Sequence, residues 1–421
     1  MMRLILLSLL SLVLAACEPA QQETQVQSPV KTEKPSETWR VVIELPGMEL
    51  PVQLHLDNQA SEAWFINGSE QVRVPEITRN GDQLTLRFPA FNNTFELTQS
   101  GDRMEGQLTL VKRDYEQVMR VSAERGIEYR YSASAEPGFN VTGRWETVFT
   151  DSDGKQTQAV GEFDQQGSRV VGTFLTPTGD YRYLEGEVND KRLLLSTFDG
   201  AHAFAFGADL DEEGRLVGDF LSGTRSHETW IATRNFDARL PDPFELTFLK
   251  EGYETLEFSF PDLEGKTVSL SDPEYHGKVV LVTLSGTWCP NCADEVAFLS
   301  EYYRQNHDRG LEIITLLYEH FGEFELAAEQ GRLLRDEYDI EYKLLVAGIS
   351  DKTLAAETLP MLNHVLAFPT MIFIDRSGAV RRIHTGFTGP GTGSYYQEFL
   401  ADFDREMEVL LAEGETPDQA D

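Results

Sequence analysis

The stretch Val279-Val280-Leu281-Val282-Thr283-Leu284-Ser285 carries no charge, and Trp288-Cys289-Pro290-Asn291-Cys292 follows it almost at once. A bounded, β-branched apolar run of this length reads as a buried strand. Residues Ala293 to Arg304 are good helix formers with Val296 and Leu299 on one face, so the two cysteines fall at a strand-to-helix junction. Cys289 sits at the helix N-terminus and Cys292 one turn inside it. There, unpaired backbone N–H groups and the positive end of the helix dipole favour a thiolate at Cys289, which becomes the attacking sulfur. Its i+3 partner is close enough for an intrahelical disulfide but lies where an incoming substrate cannot easily reach it. Cys292 is then the resolving thiol, which attacks the mixed disulfide and releases product.

A chain of 421 residues suggests two or three domains. After Pro241 and Pro243, strands alternate with helical stretches, which predicts an α/β domain over 250–421. Residues 38–240 read differently. Runs such as Arg40-Val41-Val42-Ile43-Glu44-Leu45, Val52-Gln53-Leu54-His55-Leu56 and Leu84-Thr85-Leu86-Arg87-Phe88 alternate with period two, the mark of strands. The turn pairs Asn80-Gly81, Asp153-Gly154 and Asp199-Gly200 make these strands antiparallel neighbours. The expectation is a multidomain chain, an all-β barrel or sandwich followed by the α/β domain. Within the β region, 39–125 and 145–234 read as weak copies of one another, Trp39 matching Trp145 and Gly106 matching Gly218. Two small barrels and one large curled sheet that closes its own edges both fit this pattern. The carboxylates here are scattered along polar faces and read as solvated surface. Phe204, Phe206 and Phe220 fit either a ligand cavity or plain core, and their period of two favours core.

At the N-terminus, Arg3 precedes an apolar run from Leu4 to Leu14, interrupted only by Ser8 and Ser11 and followed by Ala15-Ala16-Cys17. That run is too short for a mature membrane span and reads as a signal peptide. Leu14-Ala15-Ala16-Cys17 resembles the bacterial lipobox, which implies that 1–17 contains the signal and that Cys17 becomes the lipidated first residue. Glu18, where retained lipoproteins carry aspartate, implies the outer membrane facing the periplasm. Residues 18–37 are polar and proline-containing without an apolar period, the composition of a disordered tether.

The cysteine motif and its surroundings resemble the TlpA and ResA type of thiol-disulfide oxidoreductase, within the thioredoxin-like superfamily and related to the AhpC/TSA redoxins. Phe260-Pro261-Asp262-Leu263-Glu264-Gly265-Lys266-Thr267-Val268-Ser269-Leu270 looks like that family's N-terminal hairpin. His276-Gly277-Lys278-Val279-Val280 matches its entry into the central strand, and Phe368-Pro369-Thr370 resembles its cis-proline loop. The resemblance implies a thioredoxin-like fold and exchange of disulfides in extracytoplasmic client proteins. It also implies an unidentified thiol electron donor and no cofactor beyond the cysteine pair. Trp288, Phe368 and Pro369 become substrate-binding residues, and Pro290 and Asn291 tune the redox potential. Common thioredoxins carry a buried aspartate where this chain has Thr283. ResA-like proteins instead carry a glutamate three residues after the second cysteine, which corresponds to Glu295 and would take the proton from Cys292.

Other chemistries fit poorly. The eight histidines show no metal-ligand spacing and the cysteine pair lacks a second pair, so no metal is expected. A net charge of −34 repels phosphate backbones and argues against nucleic acid. Gly386 to Gly393 lacks the Lys-Ser/Thr of a phosphate loop and reads as a flexible loop near the active face. Two rival functions remain. Peroxiredoxins share the fold, but they place Thr or Ser three residues before the reactive cysteine and Pro seven before, where this chain has Gly286 and Val282. The other rival is a lipoprotein whose β region captures a ligand or partner and carries the main role.

Overall fold

The computed structural model describes residues 36–57, 60–131 and 136–413. Cys17 and nearly all of the stretch assigned to a tether lie outside the described residues. The first strand, Ser36–Leu45, begins three residues before Trp39 and pairs antiparallel with Met48–Asp57.

Two sheets of nine strands make up the β region. In each, the first strand pairs antiparallel with the last: Trp39 lies opposite Arg125 and Trp145 opposite Arg234. Both arginines also stack on their tryptophans, at 5.5 and 4.4 Å from the ring. The equivalent glycines occupy equivalent places too. A Cβ on Gly106 would lie 1.9 Å from the Glu96 carbonyl oxygen, and one on Gly218 would lie 1.9 Å from that of Gly207. At these points neighbouring strands approach so closely that only glycine fits.

The copies nevertheless close differently. The second sheet becomes a barrel because Gln156–Gln166 pairs with Arg169–Thr176 as well as with Gly143–Thr150. Its interior holds Trp145, Phe149, Phe174, Phe206, Phe220 and Trp230, with Phe206 and Phe220 stacked at 4.4 Å. In the first sheet the edge strands Glu70–Arg73 and Glu76–Asn80 do not pair, so it remains an open, curled half. Its hollow is filled from outside by the barrel. Phe198, Ala203, Ala205 and Leu221 belong to the core of the first sheet, while Phe204 and Phe206, which alternate with the two alanines, point into the barrel. Period two thus gives these strands two buried faces. Neither arrangement expected from the sequence is realised whole, because one copy closes on itself and the other closes on its sibling.

The C-terminal part is α/β. Its five-stranded sheet runs in the order Lys343–Ile349, Leu311–Glu319, Val279–Ser285, Thr370–Ile374, Val380–Thr385. The first three strands are parallel and the last two antiparallel to their neighbours. Helices Pro290–Asn306, Phe324–Tyr338, Lys352–Thr358 and Ser394–Ala412 accompany the sheet, and separate apolar clusters fill its two faces. Every residue of Val279–Ser285 is buried, as its composition predicts. The hairpin Ser259–Pro261 with Thr267–Ser269 forms where expected.

Candidate active site

Strand Val279–Ser285 delivers the chain to Cys289, which is the N-cap of helix Pro290–Asn306. Proline at the first helical position suits the start, since its missing N–H would have had no partner there. The Cys289 sulfur accepts the backbone N–H of Cys292 at 3.3 Å, so an orphan donor of the first turn is aimed at it. The same thiol donates to the Phe368 carbonyl at 3.5 Å, and the Phe368–Pro369 bond is cis. Cys292 lies one turn inside, almost fully buried, and both cysteines are free. Burial pushes the Cys292 thiol well above its ordinary value, with the neighbouring Cys289 adding to the shift.

Trp288 forms a wall of the site. Its indole N–H donates to the Tyr318 carbonyl at 2.8 Å, His320 stacks on its ring at 5.0 Å, and Phe368 meets it edge-on at 5.9 Å. Burial lowers His320 to about 4, so the imidazole is neutral at pH 7. Thr283, at the place of the thioredoxin aspartate, is paired with the Thr315 hydroxyl at 2.9 Å. Glu295 is fully buried with no hydrogen-bond partner on either carboxyl oxygen. Burial raises its pKa well above the carboxylate range, and negative charge on Cys289 raises it further.

The structure therefore brings Trp288, Cys289, Pro290, Asn291, Cys292, Glu295, Phe368 and Pro369 into one region. It also adds residues that sequence reasoning missed. Glu319 ends a buried strand and accepts the Thr287 N–H at 2.9 Å and its hydroxyl at 2.7 Å; burial lifts it to about 7. A lone carboxylate closing the apolar run Ile313 to Tyr318 was the available signal. The larger omission is the β region itself. A cavity of about 210 Å³ over Cys289 is walled on one side by Trp288, Asn291 and Phe368 and on the other by Asp180, Arg182 and Phe204, among others. Phe204 accordingly serves both barrel core and cavity wall. No sequence pattern announces this contact between segments more than eighty residues apart.

Arg182 holds the two sides together. It donates to the Pro290 carbonyl at 3.1 Å, pairs with Asp294 of the active-site helix, and pairs with Glu70 of the first sheet at 2.5 Å. Burial works against its charge, but Asp294 and Glu70 keep it fully cationic. Asp294 is itself lifted by burial to about 7 despite Arg182. The loop Gly386 to Gly393, expected to be flexible, is instead packed in place: the Gly389 N–H donates to Asp180 at 2.7 Å, and a short 3-10 turn forms at Pro390–Thr392. The β region provides the partner that its glycine-rich composition concealed.

A dithiol at a helix N-terminus beside a cis-proline, on a five-stranded mixed sheet, defines a thioredoxin-fold disulfide exchanger. Comparison with known sequences agrees. The AhpC/TSA family model matches residues 252–383. Thiol-disulfide oxidoreductase ResA of Geobacillus thermodenitrificans is 30% identical over 142 residues, covering 34% of this chain and 73% of ResA. Thioredoxin-like protein YneN of Bacillus subtilis is 28% identical over 138 residues, covering 33% of this chain and 73% of YneN. Among solved structures, a thiol:disulfide interchange protein of the thioredoxin family from Chlorobium tepidum is 22% identical, covering 38% of this chain and 98% of that one with a TM-score of 0.30. The chain belongs to the ResA-like thiol-disulfide oxidoreductases and adds a large β region to them.

Proposed function

We propose that the protein exchanges disulfides in the cell envelope through Cys289 and Cys292, without a cofactor. Cys289 attacks one sulfur of a substrate disulfide, the other sulfur leaves as a thiolate, and a mixed disulfide forms. Cys292 then attacks the Cys289 sulfur, the second substrate thiolate leaves, and the intrahelical disulfide remains. The substrate gains the two electrons that the dithiol loses, and an external thiol donor returns them. Phe368 and Pro369 position the substrate beside Trp288, while Pro290 and Asn291 set the redox balance. The observation that carries this reading is the Cys289 sulfur at the helix cap, between the Cys292 N–H and the Phe368 carbonyl.

Glu295 serves the second step. Burial and, after it, negative charge on Cys289 keep its carboxyl protonated. Forming the mixed disulfide removes the second of these while burial persists, so the carboxyl gives up its proton more readily than before the attack and can then take that of Cys292. In this reading the clients are disulfide-bearing extracytoplasmic proteins, and Cys17 anchors the chain by lipid to the outer membrane, facing the periplasm.

The test uses 2-hydroxyethyl disulfide. Cys292→Ser accumulates a mixed disulfide at Cys289, seen as a mass adduct on that peptide, because the resolving thiol is gone. Cys289→Ser accumulates little, since Cys292 is buried in the helix. Equal adducts in both variants would reverse or abolish the assignment of roles.

A further inference from the structure

The β region does more than neighbour the dithiol. From the barrel rim projects a hairpin in which Thr176 pairs with Gly179 and Leu175 with Asp180. It is seated on the active face by several independent contacts. Asn291 donates through its amide to the Asp180 carbonyl at 3.2 Å, and the Asp180 carboxylate accepts the Gly389 N–H at 2.7 Å. Arg182 grips Pro290 and Asp294. The approach is close enough that a Cβ on Gly179 would lie 2.5 Å from the Asn291 amide nitrogen, and one on Gly386 would lie 3.0 Å from the Thr178 carbonyl carbon.

The consequence is steric. A polypeptide that paired with the backbone at Phe368, before the cis-proline, would have to lie there as an extended strand. Here that position faces the hairpin across a pocket: Cys289 and Phe368 line it with Thr176, Gly179 and Asp180, and they are only 7% and 8% exposed. What remains is the cavity of about 210 Å³, smaller than the roughly 300–1,000 Å³ of clefts that take drug-sized ligands. Its walls combine aromatic faces from Trp288, Phe204 and Tyr181 with the Asp199–His202 pair. A pocket of this size holds a few heavy atoms on either side of a sulfur, and the hairpin stands on the side from which a polypeptide strand would approach.

We propose that the hairpin Thr176–Asp180, locked by Arg182, is a cap that restricts Cys289 to low-molecular-weight disulfides, and that protein disulfides are reached only when it lifts. This rests on the exchange chemistry proposed above and adds to it a gate: small disulfides reach Cys289 with the cap seated, and the protein clients only after it lifts. The electron balance is unchanged: a small disulfide R–S–S–R leaves as two R–SH, and the dithiol becomes a disulfide that an external thiol reduces.

Turnover of 2-hydroxyethyl disulfide and of insulin is compared on the full chain. The intact protein turns over the small disulfide and leaves insulin nearly untouched. Arg182→Ala raises the ratio of insulin to small-disulfide turnover about tenfold, as loss of a contact worth roughly 1.4 kcal/mol would. Because Arg182 is buried among carboxylates, a second variant keeps the test decisive if that one fails to fold. Arg113→Ala with Tyr395→Phe removes contacts away from the cavity, those of Arg113 with the Ser350 carbonyl and Asp351 and of Tyr395 with Glu162, and moves the ratio the same way by a smaller factor. Insulin turnover by the intact protein as fast as that of the small disulfide overturns the cap, as does a ratio that neither folded variant moves. Absence of turnover with both substrates would instead overturn the exchange reading.

Discussion

A carboxyl group buried without a hydrogen bond is costly, and Glu295 is such a group one turn beyond Cys292. Its cost makes sense if the group changes charge during the reaction. Glu295→Gln keeps the shape and removes the proton acceptor. The expected outcome is a resolving step slowed roughly 100-fold at pH 7, with the first attack little changed. In the intact protein the resolving rate rises with pH above the ordinary carboxylate range, because burial raises the Glu295 pKa; in the Gln variant that rise gives way to one at higher pH, where the buried Cys292 thiol itself ionises. Stopped-flow tryptophan fluorescence separates the two phases, and an unchanged second phase would remove Glu295 from the mechanism. The burial of this residue was partly legible. Cys292, Val296, Leu299 and Tyr303 form a buried stripe on helix Pro290–Asn306, and Glu295 falls on it by helical spacing. Asp180 and Arg182 gave no such sign. Besides the local bond from the Arg182 N–H to Asp180, they pair with Gly389, Pro290, Asp294 and Glu70, all more than a hundred residues away, and periodicity records only which face is buried, never against what.

Among the elements, the match between the two β copies rests on strand positions that sequence similarity only hints at. Gly106 lies in Arg103–Lys112 and Gly218 in Leu216–Ser222, each on the strand next to the last of its sheet. Each faces a carbonyl oxygen 1.9 Å from where a Cβ would stand. Gly106→Ala and Gly218→Ala are therefore expected to destabilise the protein similarly, each by roughly 3 kcal/mol, because backbone and not a flexible side chain must move. Chemical denaturation checks this, and a near-neutral result at either site would mean that the strands there are not so closely apposed. The central strand Val279–Ser285 and the helix carrying the dithiol were readable because local pattern and buried face coincide, whereas the two-strand hairpin before them was expected from the family resemblance alone. Closure of the β copies was not. It depends on whether Gln156–Gln166 reaches Arg169–Thr176 while the edge strands of the first copy stay apart, a property of sheet curvature that alternation does not encode.

At the scale of the whole molecule, the open first sheet cannot bury its own concave face and uses the barrel as its lid. Phe198 is the clearest case: it extends from the barrel's outer surface and contacts Phe65, Phe88 and Phe95 at centroid distances of 4.9, 5.5 and 5.1 Å. Hydrogen bonds reinforce the contact, from Asn67 to the Phe198 carbonyl at 2.9 Å and from Asn93 to the Gly200 carbonyl at 2.8 Å. The barrel in turn grips the active-site helix through Arg182, which also reaches Glu70 in the first sheet. Loss of packing between sheet and barrel should therefore be felt first in the sheet that cannot close. Phe198→Ala removes an aromatic from this junction and is expected to cost about 3–5 kcal/mol. The loss should be uneven. Amides of Ala63–Asn67, Gln83–Phe88 and Asn93–Ser100, whose strands carry the three phenylalanines, should lose hydrogen-exchange protection well before those of Val279–Ser285, whose core is separate. Uniform loss across both sheets would show instead that the chain unfolds as one unit, with the barrel unable to stand once its neighbour opens.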